Sequence, residues 1–244
     1  MRSTAARAEP YAARLPRTEL RRHVACVWFE RAGPEGKPFR TQVLPDGYVD
    51  LVFGRSVWVR GPDTRAHAVS YGRDRSFVGI RFRPGAAPAV LGVPATELVD
   101  RRIFLRELWG VAAEKLEDRL RDEPASGAAD VLEEALFGRL APPDPLVEQL
   151  VSLLRGSREV SRIRAVADAL GTSERQLLRR SRRSLGYGPK TLQRILRLQR
   201  FVSLAAARPG GLAQLAGLAG YADQPHLTRE CRRLAGVAPS TFLA

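Results

Sequence analysis

The chain has 244 residues, 44% hydrophobic and 27% charged, a globular balance with enough apolar matter for two ordinary cores. No stretch approaches the roughly 20 uncharged apolar residues of a membrane span, the opening MRSTAARAEPYAARLPR lacks the apolar run of a secretory signal, and Cys26 and Cys231 do not form a disulfide framework, so a cytoplasmic protein with no membrane partner is expected. The formal charge of +14 is lopsided: residues 144–244 carry 17 Lys and Arg against 7 Asp and Glu, residues 1–143 carry 23 against 19.

A local basic excess is the electrostatic footprint of a nucleic-acid binder, because clustered cations displace counterions from phosphates. Arginine supplies 37 of the 40 cations. That bias explains Arg over Lys but not the location of the charge.

Six runs of β type come first: HVACVWFE (23–30), TQVL (41–44), YVDLVF (48–53), SVWVR (56–60), AHAVSY (66–71) and FVGIRF (77–82). They are rich in Val, Phe, Tyr and Trp and are separated by Gly-Pro, Pro-Asp-Gly and Gly-Arg-Asp turns. Short strands with tight turns predict a small antiparallel barrel or sandwich. Helical text follows in GAAPAVLGV (85–93), ATELVD (95–100), FLRELWGVAAEKLEDRLRD (104–122) and AADVLEEALFGRL (128–140), with a loop over DEPASGAA (122–129). The fold class expected is α+β, with a domain boundary at APPDP (141–145) separating residues 1–143 from an all-α domain over 144–244 of about seven helices.

Within that second part the sequence repeats itself. Shifted by fifty positions, Leu177, Arg179, Arg182, Arg183, Gly186 and Pro189 fall on Leu227, Arg229, Arg232, Arg233, Gly236 and Pro239. Each copy is a short helix, a turn opened by Gly, and a second helix introduced by a capping residue, Ser173 or Asp223, whose side chain accepts from N–H groups left unpaired at a helix start. Ser173 with Gln176 also makes a capping box. Two helices joined by a tight turn form a helix-turn-helix, whose second helix enters the DNA major groove.

Helical periodicity puts Leu177, Ser181 and Ser184 on one inward face and Arg175, Arg179 and Arg182 on the opposite stripe. In the second copy Leu227, Cys231 and Leu234 face inward, Arg229 and Arg232 outward, with Gln224, His226 and Thr228 flanking. A single charged helix is ordinarily a solvated surface; two copies with the same cap, turn and face point to a duplex. Arg favours the O6/N7 edge of guanine and Gln the N6/N7 edge of adenine. The expected base readers are therefore Arg175, Gln176 and Arg179 in the first unit and Gln224, His226 and Arg229 in the second. Ser173, Arg182, Lys190, Thr191, Arg194 and Arg232 are expected on phosphates, fixing register. The linking helix, 190–207, spans roughly 27 Å, close to the spacing of successive major-groove faces.

LGTSERQLLRR (170–180), GYGPKTLQRILRLQR (186–200) and above all AGYADQPHLTRECRRLAGVAPSTF (219–242) resemble the AraC/XylS family of bacterial transcription regulators. The resemblance implies two helix-turn-helix units joined by a long helix, with double-stranded DNA at promoter sites as partner. RNA polymerase, a small-molecule effector and a second copy of the chain are further candidate partners. VLPDGYVDLVF and GIRFRPGAAPAVLGVPATELVD resemble the sensory N-terminal domains of some members. Family members carry Phe where this chain has Ser181 and Cys231, so Phe201, Tyr221 or Phe242 is expected to fill the space.

For an effector, Phe53, Trp58, Tyr71 and Phe82 could line an apolar pocket with Asp50 or Arg81 as polar anchor; plain core is the competing role for such aromatics. No cofactor, metal site or catalytic residue is expected: His23, His67 and His226 are the only histidines, and no H-E-x-x-H, C-x-x-C, G-x-S-x-G or G-x-x-x-x-G-K occurs. The alternatives are a nonspecific architectural DNA protein and an enzyme with a barrel site in the first half.

Overall fold

The computed structural model describes residues 11–31, 39–71, 76–156, 162–207 and 210–243, without the side chains of 31, 39–41, 70 and 71. Six antiparallel strands form one sheet in the order β1-β2-β7-β4-β5-β8: β1 (Ala12–Arg14), β2 (Val24–Arg31), β7 (Ser76–Phe82), β4 (Val49–Phe53), β5 (Val57–Arg60) and β8 (Arg102–Phe104). A second sheet pairs β3 (Phe39–Val43) with β6 (His67–Tyr71). Every expected strand is present. The barrel is not: β1 and β8 are the two edges of an open sheet, and both are three-residue strands too short to announce themselves in the sequence.

Strand alternation sorts the side chains onto two faces. Val27, Val49, Leu51, Val57, Val59, Val78, Ile80 and Phe82 all face one core. That core is closed by helices α1 (Ala87–Leu91), α3 (Val111–Arg121) and α4 (Ala125–Phe137). Gly110, at φ 53, breaks the helical run of 104–122 into α2 (Arg106–Trp109) and α3. The loop expected over 122–129 is shorter than that, since α4 begins at Ala125 with Pro124 as its N-cap residue.

The remaining helices are α5 (Pro145–Gly156), α6 (Ile163–Ala169), α7 (Glu174–Leu185), α8 (Pro189–Ala207), α9 (Leu212–Ala219) and α10 (Gln224–Ala235), followed by a 3-10 turn at Pro239–Phe242. Helix α8 threads two small cores. Leu192 and Ile195 pack with α5, α6 and α7, while Leu198, Phe201 and Val202 pack with α9 and α10. No described helix is long and apolar enough to cross a membrane.

The sheet-bearing half is bolted onto both helical cores. Leu44, 6% exposed, is buried in the core of the second helical unit. Pro45 O accepts from Gln199 Nε2 at 2.7 Å, and Tyr48 Oη accepts from Arg155 at 2.9 Å. The end of α10 is held from outside, with Ala235 O accepting from Gln42 Nε2 at 2.7 Å and Leu234 O from the Ala66 N–H at 2.6 Å. Gly186 closes α7 at φ 85, and a Cβ there would sit 2.3 Å from Val99 Cγ2, so both the left-handed turn and the close approach require glycine.

Candidate nucleic-acid interface

Helices α7 and α10 are built by the same local chemistry. Ser173 Oγ accepts from the Gln176 N–H at 3.2 Å, and Asp223 Oδ1 accepts from the His226 N–H at 2.6 Å. Each helix ends on a left-handed glycine, Gly186 or Gly236. Leu177, Ser181 and Ser184 in α7, and Leu227, Cys231 and Leu234 in α10, are buried. Burial of the opposite face would have left nothing for DNA; instead Arg175, Gln176, Arg179 and Arg182 are exposed on α7, and Gln224, Arg229 and Arg232 on α10. Ser173 and Lys190 are exposed too and Thr191 half-buried. The Ser173 hydroxyl keeps its own hydrogen for donation while its oxygen caps the helix.

Two of the expected contact residues are engaged within the domain instead of lying open on its surface. Arg194 is held inside the domain: Nε donates to Glu230 Oε2 at 2.6 Å and Nη2 to Oε1 at 3.0 Å, with both side chains mostly buried. It clamps α8 to α10 and is not displayed to a phosphate. Burial pushes the Glu230 carboxyl up, but the Arg194 hydrogen bonds and charge leave it below its usual range. His226 is half-buried and edge-on to Tyr221, ring centroids 5.3 Å apart, and its Nδ1 accepts from the Ala222 N–H at 3.4 Å. It braces the turn. A matching clamp serves the first unit: Asp144 caps α5 and takes two hydrogen bonds from Arg180. Arg183 and Arg233, exposed at the same step of the repeat, were not among the expected contacts, although the fifty-residue register aligns them.

Ser181 and Cys231 are fully buried, as their helical phase requires. Around Cys231 the space is filled by Tyr221, Phe201 and Phe242, the last two in an edge-to-face pair at 5.9 Å. Burial pushes the Cys231 thiol up to about 12, so it is a small apolar filler rather than a reactive thiolate. Ser181 Oγ is buried with no hydrogen-bond partner among the described residues.

A cavity of about 220 Å³ lies between the outer face of the six-stranded sheet and the β3–β6 ribbon. Trp28, Val52, Trp58 and Phe77 wall it, with Val43 and Val69 from the ribbon. Asp50 accepts from Trp28 Nε1 at 3.0 Å and from Arg81 Nε and Nη2 at 3.0 and 2.9 Å, and Arg81 also meets Asp46 at 3.3 Å. Burial by itself would pull Arg81 down, but Asp50 and Asp46 hold it well above its usual range.

Of the expected effector contacts, Asp50, Trp58 and Arg81 line this cavity. Phe53 and Phe82 do not; they belong to the opposite core, because an odd number of strand positions separates Phe53 from Asp50 and Phe82 from Arg81. The side chain of Tyr71 lies outside the described residues.

Burial pushes the Asp63 carboxyl up to about 7, against Arg60, which lowers it, with Asp46 and Asp100 adding repulsion. A folded pKa above the unfolded one favours the native state at low pH and loses that contribution as pH rises through the folded value. Stability from this residue is therefore expected to decline between about pH 4 and pH 7. Denaturant titrations of Asp63→Asn across that window should show a flatter pH profile than the parent; an identical slope contradicts the assignment.

Residues 166–244 match the family model of a helix-turn-helix domain, and residues 13–104 that of a domain of unknown function (DUF6597). No curated protein matches. Among solved structures, a transcriptional regulator from Chromobacterium violaceum, described as an AraC-type DNA-binding domain-containing protein, is 26% identical over 41% of this chain and 89% of its own, with TM-score 0.39. The C-terminal domain of AraT, a response regulator from Geobacillus stearothermophilus, is 20% identical over 41% and 84%, with TM-score 0.40. ToxT from Vibrio cholerae, bound to an unsaturated fatty acid, is 12% identical over 98% and 97%, with TM-score 0.46.

Proposed function

We propose that this chain, whose C-terminal third is a helix-turn-helix domain of the AraC type, is a transcription regulator that reads a specific DNA sequence with two helices of one molecule. The observation that carries this is the pair α7 and α10: both capped, both burying one apolar face, both displaying arginines on the other, in two units linked by the 19-residue helix α8 of about 28 Å. That length suits adjacent major-groove segments, which recur at about 34 Å, with the difference absorbed by DNA bending. Arg175, Gln176 and Arg179 in α7 and Gln224 and Arg229 in α10 are assigned to base edges. Ser173, Arg182, Lys190, Thr191 and Arg232 are assigned to phosphates.

Residues 1–143 form the sensory half of this proposal and 144–244 the DNA-binding half. The support is the segment 44–48, which touches both: Asp46 and Tyr48 line the cavity, while Leu44 sits in the second helical core and Pro45 accepts from Gln199. An occupant that shifts Asp46 would move Leu44 with it. Self-association of the chain and contact with RNA polymerase complete the proposed role of a promoter regulator.

Arg179→Ala tests the base assignment. Selection from random DNA is expected to return a consensus relaxed at one block, with a discrimination loss of about 1–3 kcal/mol there and an unchanged melting temperature. Lys190→Ala should weaken all sites alike and reduce the salt slope by about one. An unchanged consensus for Arg179→Ala refutes the assignment, and equal affinity for random and selected DNA favours a nonspecific architectural protein.

A further inference from the structure

On the two-helix reading proposed above, hydrogen-bond donors make up most of the surface that α7 and α10 turn outward, and one position on each helix departs from that pattern. Leu178 has Arg175 three positions before it and Arg182 four positions after it, its neighbours on a helix surface, and it shares a shallow depression with them, Gln176 and Arg179. It is nevertheless 38% exposed. One exposed leucine is ordinary on a protein surface; its placement is what matters. A Cβ at Gly188 would lie 2.7 Å from Leu178 Cδ1, so the leucine rests on the bare backbone of the turn between α7 and α8, which gives it a defined place without covering it.

The fifty-residue shift carries Leu178 onto Thr228. Thr228 is half-buried on α10, and its hydroxyl donates to Gln224 O at 3.0 Å, a bond back to the preceding turn that restricts the rotamer. With its donor spent, Thr228 offers a partner its methyl group and an acceptor. Both helices thus carry a methyl group at the same step of the repeat, each followed four positions on by an exposed arginine, Arg182 or Arg232.

In the major groove only thymine presents an apolar group, its C5 methyl. We propose that Leu178 and Thr228 are specificity-determining residues that each cover a thymine methyl, one in each block of the site, while the neighbouring arginines and glutamines take the hydrogen-bonding edges. Cytosine in the same place would turn its N4 amino group onto Leu178 with nothing there to accept from it, so thymine is selected by exclusion as well as by contact.

Deoxyuridine tests this, because it removes the methyl and keeps every hydrogen-bonding group of thymine. The full chain is titrated with its selected duplex and with copies in which each thymine of the two blocks is replaced in turn. One replacement in each block is expected to weaken binding about fourfold, the worth of one buried methyl. Leu178→Ala should abolish that sensitivity in the block that Arg179→Ala relaxes, and Thr228→Ser, which keeps the hydroxyl, should abolish it in the other. Thr228→Val, which keeps the methyl, should retain it. Each variant is read as its own ratio of affinities for the thymine and uracil duplexes, so a general loss of affinity cancels. Uracil tolerated at every thymine, no thymine in either block, or a sensitivity that Leu178→Ala and Thr228→Ser leave in place would overturn the methyl contacts while the two-helix reading stands. A selection that returns no consensus would overturn both.

Discussion

Arg194→Ala is expected to cost about 3 kcal/mol of stability, because removing one partner of a mostly buried pair leaves Glu230 desolvated without its counter-charge. The pair holds α8 against α10 through two hydrogen bonds of 2.6 and 3.0 Å, so the loss should fall on the second unit. Denaturant unfolding of the full chain measures it. DNA binding should then weaken in proportion to unfolding, with the consensus unaltered among molecules that remain folded. The reverse pattern, full stability with uniformly weaker binding, would return Arg194 to the phosphate role that its charge and position first suggested. Acid supplies a second check. Since Glu230 is held below its usual range, the stabilisation it gives is present above the unfolded pKa and disappears as pH falls through the folded one. The double variant Arg194→Ala with Glu230→Ala should therefore recover much of the loss at neutral pH.

Leu44→Ala should be comparably damaging, about 2–5 kcal/mol, and the location of the effect is the informative part. Leu44 follows β3 in the first half of the sequence, yet it is buried with Phe201, Leu215, Leu227 and Cys231 in the second helical core. Hydrogen exchange in the full chain should show the loss of protection in α9 and α10 rather than in the sheet. Residues 144–244 expressed alone would lack this plug, and their stability should match that of the same helices in the Leu44→Ala chain. Loss of protection confined to the sheet would contradict the proposed mechanical link between cavity and DNA-binding half.

Much of this architecture was legible in the sequence because local signals carried it. The strands announce themselves through β-branched and aromatic runs between Gly and Pro turns, and the helix-turn-helix units through caps and arginine phase, which need no knowledge of tertiary contacts. Where the contacts are long-range, the sequence is silent. Nothing in TQVLPDGY marks Leu44 for a distant helical core, and nothing in the spacing of Arg194 and Glu230 separates a clamp from two surface charges. The same holds for His226, whose place in the turn depends on Tyr221.

For Phe53 and Phe82 the sequence itself carries the answer. Strand alternation forbids Asp50 with Phe53, or Arg81 with Phe82, on one face. Following the alternation brings Val52 beside Asp50 and Phe77 beside Arg81, the residues that do line the cavity. Trp28 sits on that face past a bulge between Val24 and Cys26, a shift of register that only the paired strand discloses.

One molecule is proposed to read two consecutive groove segments with two helices. Selection of binding sites from random duplex DNA by the purified full chain tests it most directly. The account predicts a consensus of two conserved blocks about 10 base pairs apart, with Arg179→Ala relaxing one block and Arg229→Ala the other. A single block altered by both variants, or no consensus at all, would contradict it.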